Sequence, residues 1–372
     1  MTEIPKSPKD VTKNWLKTVL QKSLNETIEV QTLNIVTQKN GFLCGTFKAQ
    51  VLINGQLVKL FIKTMLETDD PLRYMWDDFE FDRIEISTYN TFFPELIKFE
   101  REQLHGKSEL ETMLPKVYAA DYCLSKDNRG FYLIMEDISA DFQLIATEEG
   151  LSHLQISKAL EKLARFHAIG YAFTKNNLTI VEGWKLESEY PFVSDFKRVD
   201  YPSIVEAIGK VESRLKEPVE QICKQWWDIC QEMYFFEEKR FLTHSDCWLN
   251  NMFFSFDDCK FLDWQVFMLG HPAMDLAYLL GTSLTPEHLD EWMDDLLNMY
   301  FDKFQSTCEK INGIVSPMTR DDFKNTFHTK GLMSMTGMFI IGWNELTVLP
   351  GMKPRAIKVI SLAVENNPQY FK

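Results

Sequence analysis

The chain has no Cys-x-x-Cys pair, no basic excess, no long apolar run, no internal repeat and no low-complexity segment. Each absence excludes something. The seven cysteines, at 44, 123, 223, 230, 247, 259 and 308, are odd in number and scattered, which argues against a disulfide framework and a zinc cage. Acidic residues outnumber basic ones by 54 to 40, a formal charge of −14, so the basic stripe that nucleic acid requires is missing. Phosphate binding through metal ions or a local lysine stays open. The opening "MTEIPKSPKDVTKNW" has no apolar signal-peptide core, and no later stretch is long enough to span a membrane. A soluble chain in a reducing, cytoplasmic setting follows as an expectation, without a nucleic-acid partner and with its oligomeric state unspecified.

At 372 residues the chain is long for one core, so two lobes are expected. "SPKDVTKNWLKTVLQKSL" reads as an amphipathic helix with Ser7 as N-cap, Pro8 at N1 and Asp10 at N3. From about 28 to 65 the hydrophobic period drops to two, and Asn54-Gly55 marks a hairpin because both residues tolerate positive φ. A helix over about 77 to 93, a polar connection, and strands near "PKVYAADYCL" and "GFYLIMED" come next. Beyond Asp137 the pattern is mainly helical, apart from a strand-turn-strand around Asp257-Asp258. The boundary predicts a β-rich N-lobe over 1–137 and a mainly helical C-lobe over 138–372, an α+β chain.

"THSDCWLNNMFFSFDDCKFLDWQ", residues 243 to 265, sets four carboxylates and two asparagines among aromatic and aliphatic residues. Acids in such company need a partner. His244, Asp246 and Asn251 form H-x-D-x-x-x-x-N, and Asp263 follows at a strand end between Leu262 and Trp264. Phosphoryl transfer from ATP uses these types: an Asp that takes a hydroxyl proton, then an Asn and an Asp with hard oxygens for Mg²⁺. Turn-forming Asp and Asn explain Asp257 and Asp258 but not Asp263. Lys63 ends the second hairpin strand, on the face of Lys59 and Phe61; it reads as a phosphate clamp or as a solvated strand-end lysine. Phe81, Glu85 and Tyr89 recur every four residues, so Glu85 interrupts a buried stripe; it pairs with Lys63 or reaches water at the stripe's edge. Gly41 and Gly45 in "NGFLCGTF" suit backbone amides that approach phosphate, and equally suit a simple turn. "GKS" at 106–108 is no Walker motif, because Arg101 stands where its first glycine belongs.

"LTHSDCWLNNMFF" and "FLDWQ", followed by "GHPAMDLAYLLGTS", resemble the ecdysteroid kinase-like (CHK kinase-like) family, relatives of choline kinases and aminoglycoside phosphotransferases. "LFIKTM", "FDRIEISTYNTFFPEL", "LIMEDI" and "LARFHAIGYAF" extend the resemblance to about residues 40–290. It implies a protein-kinase-like two-lobed fold and an ATP- and Mg²⁺-dependent transfer to the hydroxyl of a small molecule, with a steroid alcohol suggested by the family name. It further implies that Asp246 is the catalytic base, that Asn251 and Asp263 hold Mg²⁺, and that Lys63 contacts the α/β-phosphates while paired with Glu85. His244 would brace the loop and Asp275 tie it down, the backbone of Glu136, Asp137 and Ile138 would meet adenine, and His167 would be a structural histidine of the C-lobe. Two residues depart from the wider pattern: Ser245 replaces a frequent Gly, and Asp263-Trp264-Gln265 replaces Asp-Phe-Gly.

Eleven residues separate Asp263 from Asp275, which leaves no room for a protein kinase's activation segment. A catalytically inactive, ligand-binding kinase fold is the alternative, separated from the enzyme by ATP turnover. A metallohydrolase using His244, Asp246, Asp263 and His271 would leave Lys63 and Glu85 without a role. Trp184, Trp226, Trp227, Trp343 and the segment 332–343 either line an apolar acceptor pocket or form plain core.

Overall fold

A computed structural model describes residues 4–5, 8–37, 44–65, 79–125, 129–186, 199–229, 241–311 and 313–371. The chain divides into two compact units: Met1–Glu95, Leu114–Phe142 and Leu262–Gln265 form the first, and Leu96–Met113, Gln143–Phe261 and Val266–Lys372 the second.

In the first unit, strands β1 (Val30–Thr37), β2 (Cys44–Ile53), β3 (Gln56–Met65), β4 (Val117–Cys123) and β5 (Gly130–Glu136) form an antiparallel sheet in the order β1-β2-β3-β5-β4. The β2–β3 hairpin turns on Asn54 (φ 49°) and Gly55 (φ 80°), the left-handed pair that a twisted two-residue hairpin requires. Strand alternation puts Phe47, Ala49, Val51, Leu60 and Ile62 on the face covered by helix α1 (Lys13–Leu24), whose Leu16, Val19 and Leu20 complete that core. The start of α1 differs from the sequence reading. Pro8–Asp10 form a separate 3₁₀ turn, and Thr12 is the N-cap, its hydroxyl accepting from the Trp15 amide at 3.2 Å. Thr12 is the hydroxyl residue in register with the apolar stripe, so the cap follows the packed face. Helix α2 (Phe81–Ser87) passes through a π segment (Thr88–Phe92) into α3 (Phe93–Leu104), which belongs to the second unit from Leu96 on, so helix runs on well beyond the expected end near 93.

The second unit is mainly helical: α4 (His153–Asn176), α5 (Leu178–Gly183), α6 (Tyr201–Val211), α7 (Lys216–Lys224), α8 (Pro272–Ser283), α9 (Pro286–Lys310), α10 (Arg320–Thr326), α11 (Leu332–Ile341) and α12 (Met352–Asn366). Ser152 and Gln155 form a capping box on α4, while His271-Pro272 and Thr285-Pro286 start α8 and α9 with an acceptor at N-cap and proline at N1. Two short ribbons interrupt the helices: β6 (Phe241–Thr243) pairs with β9 (Met268–Gly270), and β7 (Met252–Phe254) with β8 (Cys259–Phe261), the last as expected around Asp257-Asp258.

Helix α11 is buried on nearly all sides, and Gly337 lets the Trp226 ring lie against its backbone. A Cβ at 337 would stand 1.6 Å from Cη2 of Trp226. Gly337→Ala is therefore expected to cost about 2–3 kcal/mol and to lower the melting temperature by roughly 3–4 °C, because a packed ring has to move. An unchanged melting curve would contradict this packing.

Candidate active site

Strand alternation turns Lys63 away from the α1 core, yet the side chain is not solvated. It is 4% exposed, with Nζ 2.8 Å from the Glu85 carboxylate and 2.7 Å from Oδ1 of Asp263. The Glu85 stripe is real: Phe81, Glu85 and Tyr89 are all buried, and Glu85 is 1% exposed. Both solvated alternatives, for Lys63 and for Glu85, are thereby excluded. Asp263 was not foreseen as a partner of Lys63; the two lie 200 residues apart in sequence.

One buried ammonium thus stands among two carboxylates. Burial opposes the charge on Lys63, but Asp263 and Glu85 outweigh it and hold the ammonium well above its usual range. Burial raises Glu85 from 4.5 to about 7; Lys63 resists that rise and Asp263 adds to it. Both directions follow from one cation shared by two anions. Asp263 sits at φ 61°, a left-handed conformation costly for a residue with a Cβ. Trp264, fully buried, anchors the segment edge-on against Phe93 at 4.7 Å.

Of the two glycines, Gly45 lies in β2 opposite Thr64, and Gly41 lies outside the described residues. At the proposed adenine segment, the sheet already engages two of the three amides: Glu136 donates to the Lys116 carbonyl at 2.8 Å and Asp137 to the Lys59 carbonyl at 3.0 Å. The Asp137 carboxylate accepts from the Ser139 amide at 3.1 Å and pairs with Lys48 at 3.0 Å.

The second unit carries the His244–Asn251 loop. Asn251 donates through Nδ2 to the carboxylate of Asp246 at 2.9 Å and to its carbonyl at 3.0 Å. That orientation leaves the amide oxygen of Asn251 as an acceptor. Nδ1 of the buried His244 accepts from the Asp246 amide at 3.2 Å. Ser245 adopts φ 64°, a conformation that glycine takes freely and that costs serine about 1 kcal/mol. This is the position where the wider pattern often has glycine. Asp275, on the first turn of α8, accepts from the His244 amide at 2.8 Å and the Ser245 amide at 2.7 Å.

His271, which the metallohydrolase reading needs as a ligand, caps α8 instead, its Nδ1 accepting from the Ala273 amide at 3.1 Å. Ser108 of "GKS" donates to the buried carboxylate of Glu100, a structural contact. Trp184 stacks on Phe173 and Trp226 packs on Gly337, so both are core, while Trp227 is 53% exposed. A cavity of about 20 Å³ beneath the loop, lined by Ser245, Met268, Asp275, Tyr278 and Met335 among others, has room for one water-sized group, and so does not define an acceptor.

Among solved structures, the chain resembles a choline kinase from Cryptosporidium parvum Iowa II with 10% identity and a TM-score of 0.55, over 97% of this chain and 96% of that one. It also resembles the amicoumacin kinase hAmiN in complex with AMP-PNP, Ca²⁺ and Ami with 10% identity and a TM-score of 0.51, over 90% of this chain and 88% of that one. At such identity these likenesses establish the fold, a protein-kinase-like one with a β-rich N-terminal and a helical C-terminal region. No curated protein matches the chain. Residues 46–313, well over half of the chain, match the model of the ecdysteroid kinase-like family; the chain belongs to that family and is a small-molecule kinase.

Proposed function

We propose that the chain transfers the γ-phosphoryl group of ATP, with Mg²⁺, to the hydroxyl of a small apolar alcohol of steroid-like shape. The observation that carries this reading is the buried Lys63 ammonium held by Glu85 and Asp263. A buried ion pair is poor value for stability alone, whereas a fixed cation suits the phosphates of a nucleotide. In the proposal Lys63 neutralises phosphate charge and Glu85 holds its ammonium in place. The backbone near Glu136, Asp137 and Ile138 meets adenine, the Ile138 amide being the one of the three that the sheet does not engage. Gly41 and Gly45 belong to the segment proposed to lie over the phosphates.

Each of the two proposed donors carries a hard oxygen of the kind a divalent cation takes. Asn251 turns its amide nitrogen to Asp246 and keeps its oxygen available, and Lys63 takes only one oxygen of Asp263. Among the described residues no group of three or more His, Cys, Asp or Glu is poised around a metal, but a cation completed by nucleotide phosphates and water needs only two side chains. When bound, Mg²⁺ would neutralise charge on the transferring group. Asp246 aligns the acceptor hydroxyl and takes its proton, with its carboxylate oriented by Asn251 and its backbone by His244. Among the described residues no helix is long and apolar enough to cross a membrane.

The cation assignment is tested by Asp263→Asn, which removes one anionic oxygen and is expected to weaken Mg²⁺-dependent nucleotide binding at least tenfold. Titration of ATP with and without Mg²⁺ reads it; equally tight metal-free binding in the unmodified protein would rule the assignment out. For the reaction, purified protein is given ATP·Mg²⁺ with sterol alcohols, choline and aminosugars. Consumption of ATP only with the sterols is expected, and no turnover with any acceptor would favour the inactive, ligand-binding alternative.

A further inference from the structure

Behind the loop runs a chain of buried polar groups that the reaction as described does not use. Tyr300 of α9, His167 of α4 and Asp275 of α8 are each completely buried. The Tyr300 hydroxyl lies 2.7 Å from Nδ1 of His167, and Nε2 of His167 lies 3.0 Å from Oδ2 of Asp275. Asp275 in turn receives the amides of His244 and Ser245, the residues just before Asp246.

We propose that Tyr300 is a positioning residue for Asp246: by donating to His167 it fixes the direction of a relay in which His167 donates to Asp275 and Asp275 holds the loop backbone. The direction follows from chemistry. An ionised carboxylate only accepts, so Nε2 of His167 carries its proton. In the neutral ring Nδ1 is then an acceptor, and Tyr300 is the donor that faces it. Burial, reinforced by the Asp275 charge, pushes the tyrosine hydroxyl well above its ordinary range and keeps it a donor. Three aligned bonds in a dry interior polarise one another, which strengthens the grip of Asp275 on two amides. The grip matters because Ser245 is held at φ 64°, a conformation that relaxes unless its surroundings enforce it. Tyr300 thereby selects one tautomer of His167 and keeps the Asp275 carboxylate aimed at the loop.

The inference rests on Asp246 being the base, and the experiment separates the two. Tyr300→Phe removes one oxygen and leaves the ring. Expected are about a tenfold fall in kcat with nucleotide affinity unchanged, faster deuterium exchange at the His244 and Ser245 amides, and loss of the single Nε2-protonated pattern in the ¹⁵N spectrum of His167. Phe301→Leu, an apolar core change on the same helix, serves as the stability control and is expected to lower the melting temperature without these effects. Unchanged exchange and unchanged ¹⁵N shifts in Tyr300→Phe would overturn the relay, as would a doubly protonated His167 in the unmodified protein. Both readouts need no turnover. If Asp246→Asn leaves the rate intact, the assignment of the base fails while the relay is still judged by exchange and tautomer.

Discussion

Asp246→Asn should lower kcat by about 10²–10⁴ while the affinity for ATP·Mg²⁺ changes little. The substitution keeps the size of the side chain and can keep the 2.9 Å contact from Asn251 Nδ2 through the new amide oxygen. What it removes is the negative charge and the basicity, which the proposed reaction needs as the acceptor hydroxyl gives up its proton. A group that acts only in the transition state leaves ground-state nucleotide binding intact, so the whole loss belongs in the chemical step. Single-turnover kinetics and nucleotide titration separate the two quantities. Near wild-type phosphorylation by the variant would show that Asp246 is not the base. A large loss of nucleotide affinity with the chemical step preserved would move Asp246 to the metal site instead.

Lys63→Met should abolish turnover, with a loss on the order of 10³, because the charge proposed to face the phosphates disappears. It should also change stability in a pH-dependent way. The substitution leaves Glu85, which is 1% exposed, without its cation. Burial already raises Glu85 from 4.5 to about 7 with Lys63 present, and without Lys63 the rise continues. A carboxyl raised on folding favours the folded state in its protonated form. That contribution is fully present below 4.5 and is lost as the pH climbs through the folded value. The variant is therefore expected to lie closest to the unmodified protein near pH 5.5 and to fall behind it by about a further 1 kcal/mol near pH 8, one pH unit above the folded value of about 7 that Lys63 maintains. Melting curves at the two pH values read this, and turnover is measured at the lower one, where the variant is folded. Normal turnover there would refute the phosphate role. A stability difference independent of pH would mean that Glu85 finds another partner.

Local chemistry made much of this fold legible. The β2–β3 hairpin follows from Asn54-Gly55 and a period of two, because turn type and pleat are properties of adjacent residues. The β7–β8 turn is legible for the same reason. The constellation of His244, Asp246 and Asn251 could be read because its members are neighbours in sequence and bond to one another in the same loop. Glu85 betrayed itself by breaking an apolar stripe, and a buried acid demands a cation, so Lys63 could be named as its partner.

Other features were decided only by tertiary structure. Thr12 caps α1, while Ser7 lies outside the described residues; several hydroxyl residues precede the helix and the packed face chooses among them. The π segment at Thr88–Phe92 carries the helix past its expected end, where propensity alone could not place the boundary. No sequence rule joins Asp263 to Lys63, or His167 to Asp275 and Tyr300, across separations of 200, 108 and 133 residues. Likewise Ser245 and Asp263 hold left-handed backbone that neither residue type prefers. The physical reason is common to all of these. Sequence patterns report interactions among residues close along the chain, whereas the pairing of a buried charge and the enforcement of a strained backbone depend on which distant groups packing brings within 3 Å.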